Sequence, residues 1–253
     1  MEKMILVCED SLEGIFTAIY NAYELKQNHD NIMLQVGEAQ GLLFSTYKTV
    51  VSDLLKMKKV VRTIINEFGE SNYYCFCQAL AAEDLEKADA VYHTIVHGLK
   101  NKRKSAVMDD ITNDYVNKVF CLSRNVNNEI LHLKGFLRFK ELENGILFSE
   151  IGPKNNIITF LAPHFSDRLS NENFMIYDSI RGIIIMHPAK KQWVITRSEL
   201  LNLDEIKKYS ETEQEYQDLF CYFCEKIAIE GRINKKLQRQ MLPLRFREYM
   251  VEF

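Results

Sequence analysis

Three short stretches of the chain bring together side chains that chemistry uses. The first is LAPHFSDR, with His164, Asp167 and Arg168. On a helix His164 and Arg168 share a face, and Asp167 is near enough to orient the imidazole. Such a trio could move a proton, with His164 and Asp167 as an acid–base pair and Arg168 holding an anion. The plainer alternative is a histidine and an arginine bonded to backbone or to each other. The second stretch is HLKGFLRFK, His132 to Lys140, where cations alternate with rings. Read as a strand, it puts Phe136, Arg138 and Lys140 on one side and Leu137 and Phe139 on the other. Rings beside cations suit single-stranded nucleic acid, the rings stacking on bases while the cations hold phosphate. An edge strand that uses charge to block aggregation has the same pattern.

The third stretch is the C-terminal GRINKKLQRQMLPLRFREYMVEF. It carries Arg232, Lys235, Lys236, Arg239, Arg245 and Arg247 against two acids, Glu248 and Glu252, in a chain of net charge -3. A phosphate-binding face needs this segregation of charge. Arg245-Phe-Arg247 repeats the base–ring–base order of Arg138-Phe-Lys140, and KNKRK, Lys100 to Lys104, is a further basic cluster. Two other spacings point away from chemistry. Cys221 and Cys224 have CxxC spacing but lie within a helical pattern and lack a second ligand pair. His93 and His97 lack a third ligand, so no metal site is expected. Neither GxGxxG, a Walker A loop, GxSxG nor CxxxCxxC occurs, and no cofactor is expected.

These residues need elements to position them. MILVCED and IMLQV read as short strands, and DSLEGIF opens a helix capped at Asp10 or Ser11. Val51, Leu54, Leu55, Val60, Val61, Ile64 and Ile65 recur at helical spacing up to Gly69, and helical patterns continue to about Gly135. Strand-like runs follow, beginning with FLRFKEL, ILFSEI and NFMIYDSI. Glu143-Asn144-Gly145 marks a hairpin, and the helix NNIITFLAPHFSDRL interrupts the strands. The predicted fold is therefore α+β: a mainly helical N-terminal half, a small, mostly antiparallel sheet with one inserted helix, and a C-terminal helix. One domain is expected over residues 1–253: a helical part to about 134, a sheet-containing part over about 135–200, and a closing helix with basic tail over 201–253.

The 253 residues are 47% hydrophobic and 26% charged, with four prolines and ten glycines, as in an ordinary globular protein. There is no apolar run long enough to span a membrane, and MEKMILVCEDSLEG does not read as a signal peptide. Six scattered cysteines fit reduced thiols and a cytoplasmic setting.

KGFLRFKELENGILFSEIGPKNNIITFLAPHFSDRLSNENF together with IAIEGRINKKLQRQMLPLRF resembles the DUF4130 family of bacterial DNA-metabolism or DNA-repair proteins. Several separated blocks agree in order, most strongly from about Asn128 onward. The resemblance implies a setting in DNA repair or modification, with a radical SAM protein as partner. The family-like positions are Ser11, Glu13 and Gly14; Lys134, Gly135, Phe136, Arg138 and Phe139; Pro163, His164, Phe165, Asp167 and Arg168; and Arg232, Asn234, Gln238, Gln240, Pro243 and Arg245. The chain departs from the pattern at Cys8 to Ser11, where the family has a Tyr-Asp-Gly-Ser-like turn. It departs again at Leu131, where the family places a histidine, which leaves His164 the better catalytic candidate.

Three functions are consistent with these observations. The first is a DNA-associated accessory factor, with Arg138, Lys140, Arg168, Arg232, Asn234, Gln238, Arg239, Arg245 and Arg247 binding nucleic acid or another anion. The second is an enzyme acting on DNA or a nucleotide through His164 and Asp167. The third is a protein–protein adaptor without DNA contact.

Overall fold

The computed structural model describes residues 3–38, 41, 43–200 and 208–253. The chain divides into two compact units, 1–127 and 128–253. Together they have an α+β architecture.

The first unit is built on three parallel strands, β1 (Lys3–Cys8), β2 (Ile32–Val36) and β3 (Ser45–Thr49), in the order β2-β1-β3. The first two strands match the sequence reading. The third, Ser-Thr-Tyr-Lys-Thr, is polar but for its tyrosine and mostly exposed, so hydrophobicity alone does not announce it. Helix α1 (Leu12–Glu24) starts where expected, with the Ser11 hydroxyl accepting from the Gly14 amide at 3.0 Å. Gly14 has a steric reason to be glycine: a β-carbon there would lie 2.6 Å from the Glu9 carbonyl oxygen. Helix α2 (Leu54–Phe68) is capped by Asp53 and ends at Gly69, whose φ of 87° is open to glycine at little cost. Helices α3 (Glu70–Leu80) and α4 (Lys87–Lys100) follow, and Ile5, Leu6, Phe16, Ile64, Phe68, Phe76 and Tyr92 are buried in this unit.

Helix α5 (Asp114–Phe136) contains the boundary between the units. The second unit holds a five-stranded sheet in sequence order: β4 (Lys140–Glu141), β5 (Leu147–Ile151), β6 (Phe174–Asp178), β7 (Ile183–His187) and β8 (Val194–Arg197). Only β5–β6 is parallel, and its crossover is the inserted helix α6 (Ile158–Arg168). The turn at Gly145 has φ 75°, as the Glu-Asn-Gly signal requires. Helices α7 (Glu211–Ile227), α8 (Lys235–Met241) and α9 (Leu244–Arg247) close the chain, so among the described residues the single expected closing helix becomes three.

One local expectation is corrected. Phe136 to Lys140 is not a strand: α5 runs on to Phe136, and pairing begins only at Lys140. The helical stripe Ile130, Leu133, Leu137 is buried throughout, so the 3.6-residue period outlasts Gly135. Among the described residues, no helix is long and apolar enough to cross a membrane.

Candidate nucleic-acid interface

The second unit is tied together by a carboxylate on that same stripe. Glu129 precedes Ile130 and stands four residues before Leu133, at a position the helix turns inward, and its side chain is 1% exposed. Its Oε1 accepts from the Lys154 amide at 2.9 Å, and Oε2 accepts from the Asn155 amide at 3.0 Å and Asn155 Nδ2 at 2.7 Å. Arg245 Nη2 lies 3.1 Å from Oε1. One buried charge thus orders the loop after β5 and pins α9. The loop is held a second time by Arg181, whose Nη1 donates to the Pro153 carbonyl at 3.0 Å and to Asp178 Oδ2 at 3.3 Å. Burial pushes the Asp178 carboxyl up from its ordinary range, and the Arg181 guanidinium opposes this.

The stretch His132 to Lys140 meets the C-terminal tail directly. Phe246 packs against His132 and Phe136, with ring centroids 5.6 and 5.8 Å away. Arg138 grips Glu252, with Nη2 2.6 Å and Nε 3.1 Å from Oε1, and lies over the Phe220 ring. The same stretch reaches α6 through Phe139, whose ring is 5.4 Å from Phe165. The three stretches of the sequence therefore meet by contact in one unit, with the middle one between the other two.

That convergence sorts the cations. Arg138 and Arg245 are occupied by Glu252 and Glu129. Arg247 lies over Phe253 and donates to the Leu242 carbonyl. Lys140 sits over Tyr209. The three arginines hold the tail. Arg232, Lys235, Lys236 and Arg239 are exposed, and among the described residues none of them has a carboxylate partner. Arg168 is also exposed without one.

Asn234 starts α8 by accepting from the Leu237 amide at 3.0 Å. Counting at helical spacing, Ile233, Leu237 and Met241 form one side of this segment and Arg232, Lys235 and Arg239 the other. A groove of about 350 Å³ is lined by Arg232, Ile233, Asn234, Leu237, Gln238 and Met241. Its apolar side chains, two amide side chains and Arg232 are chemistry that a nucleotide strand can use: apolar contact for a base, amide hydrogen bonds for a base edge, and charge for phosphate.

His164 and Asp167 do not form the expected pair. Asp167 is exposed, and no hydrogen bond joins the two. His164 Nε2 is buried without a hydrogen-bond partner, and the ring stands edge-on to Phe165. Burial lowers the His164 pKa, Lys134 and Arg168 lower it further, and Asp167 acts weakly against them. A folded-state pKa below the unfolded value means that unfolding takes up a proton at acid pH. Stability is therefore intact above about pH 6.5 and falls as pH drops from there through the folded pKa. The expected result is a loss of stability between neutral and mildly acid pH that His164→Gln reduces, measured by urea unfolding at several pH values.

His93, His97 and Cys221 have structural partners. His93 stacks on Tyr115, and His97 Nε2 lies 2.8 Å from Asp110. Cys221 Sγ donates to the Val251 carbonyl at 3.2 Å. Lys104 of the basic cluster in the first unit pairs with Glu67. Sequence reasoning missed Glu129 and the Arg181–Asp178 clamp. Glu129 left a signal, an acid placed on an apolar helical stripe. Arg181 left only an acid three residues before it, because the Pro153 and Lys154 carbonyls it also reaches belong to a loop distant in sequence.

A family model described as a domain of unknown function, DUF4130, matches residues 85–252. The match takes in α4, α5 and the whole second unit apart from the last residue, and leaves the Ser11–Gly14 block outside. No curated protein matches the chain.

Proposed function

Because the chain belongs to the DUF4130 family, we propose that it is a DNA-associated accessory protein that holds a nucleic-acid strand on the cations of residues 232–239. The observation that carries this reading is the set Arg232, Lys235, Lys236 and Arg239, exposed and without carboxylate partners among the described residues, with Arg232 lining the groove of Asn234 and Gln238. Arg168 is a further free cation in the same unit. Arg138, Arg245 and Arg247 serve the site indirectly, by fixing the tail that follows it, and Lys140 packs over Tyr209. The setting in repair or modification, a radical SAM partner and a cytoplasmic location rest on the sequence resemblance and composition.

The test is fluorescence anisotropy with labelled single- and double-stranded oligonucleotides at low salt. Binding to either supports the reading, and absence of binding to both removes it. The adaptor reading is favoured by a different observation, the exposed rings of α7. Purification of the native complex with and without nuclease separates the two: a partner lost on nuclease treatment is held through DNA, and one retained is held by protein.

A further inference from the structure

Helix α7 has two faces of different character. Glu213, Gln217 and Cys221 recur every four residues and face their own unit. Glu213 Oε2 accepts from the Glu141 amide at 2.7 Å, Gln217 Nε2 donates to Glu213 Oε1 at 2.7 Å, and Cys221 reaches Val251. Tyr216, Leu219, Phe220, Phe223 and Ile227 fall at i, i+3, i+4, i+7 and i+11, a continuous stripe on another side. They are 64%, 63%, 36%, 55% and 59% exposed. The only buried residue of this 17-residue helix is an acid, Glu213. A helix whose large apolar side chains stay in water gains little from folding, because helical stability in proteins comes mostly from packing an apolar face.

We propose that this stripe is an isologous interface, covered by the α7 stripe of a second copy of the chain. Two observations select that occupant. The first is area. Aromatic and long aliphatic side chains offer on the order of 150–250 Å² each, so at these exposures the stripe presents roughly 500 Å² per copy. Two such stripes, fully covered, bury about 1,000 Å² together, the lower bound for a specific interface. The second is charge. At helical spacing Glu211, Asp218 and Glu225 fall on the side away from the stripe, so two copies can pair about a twofold axis without opposing carboxylates at the centre. The cations of residues 232–239 lie outside the stripe, so self-association does not depend on nucleic acid.

The test is sedimentation velocity on the full chain, nuclease-treated, from about 1 to about 100 µM. The wild type sediments as a concentration-dependent dimer. Phe223→Glu and Leu219→Glu each weaken association at least roughly ten-fold, because each places a charge in the seam. Glu225→Lys, on the other side of the helix, leaves it unchanged. Circular dichroism of each variant confirms that the fold is kept. A wild type that stays monomeric over the whole range overturns the proposal and points to a different cover, such as an unrelated protein. A dimer that survives both seam variants overturns it equally.

Discussion

Glu129→Ala is expected to lower the stability of the second unit by about 3 kcal/mol, among the largest losses from any single truncation in that unit. The carboxylate accepts three hydrogen bonds from Lys154 and Asn155 and neutralises Arg245. Arg245 is 46% exposed, so after truncation its charge turns to water at small cost. The loop cannot do the same, because Asn155 is 8% exposed and its amide and side chain both lose their bond to the carboxylate. Each lost bond to a buried charge costs roughly 1–3 kcal/mol, and the losses overlap because one loop makes them. For a unit of this size the midpoint of thermal unfolding falls by roughly 10 °C. Glu129→Gln keeps one acceptor oxygen and is expected to fall between the two. Urea unfolding followed by circular dichroism measures the change, and a loss below about 1 kcal/mol contradicts the role given to Glu129.

Replacing Arg232, Lys235, Lys236 and Arg239 together by alanine is expected to abolish most nucleic-acid affinity while leaving the fold intact. These side chains are exposed and have no carboxylate partners among the described residues, so their removal strands no buried group. Four phosphate contacts contribute roughly a hundred- to thousand-fold at about 0.1 M salt, because each releases condensed counterions. Arg138→Ala is expected to behave in the opposite way. It leaves Glu252, whose side chain is 9% exposed, without its guanidinium, and so loosens the tail more than it weakens binding. Titration of labelled oligonucleotide against both variants, with unfolding curves for each, separates a contact residue from a supporting one.

The contrast between these variants marks the limit of what the sequence reveals. The helix starts at Ser11 and Asp53, the turn at Gly145 and the strands after it are legible because local backbone chemistry decides them. Ser11 and Asp53 each accept from an amide within three residues, and Gly145 takes the positive φ that its turn needs. Phe136 to Lys140 is ambiguous locally. Its alternation suits a strand, and only the buried stripe running from Ile130 to Leu137 decides for helix. The candidate site was legible by composition and not by role. Arg138, Arg245 and Arg239 read alike as exposed bases, yet the first two have carboxylates 114 and 116 positions away in the chain, at Glu252 and Glu129. Pairing over such distances leaves no local trace. Charge segregation located the region, and the ion pairs divided it into cations that hold the protein and cations that remain free.

The most direct test of the account is the salt dependence of oligonucleotide binding, measured by anisotropy for the wild type and the four-cation variant. If Arg232, Lys235, Lys236 and Arg239 each hold a phosphate, the logarithm of the wild-type association constant falls against the logarithm of salt concentration with a slope of about -3 to -4. The variant's slope then approaches zero. An identical slope for the two proteins, or wild-type binding that does not change with salt, contradicts the assignment of the site.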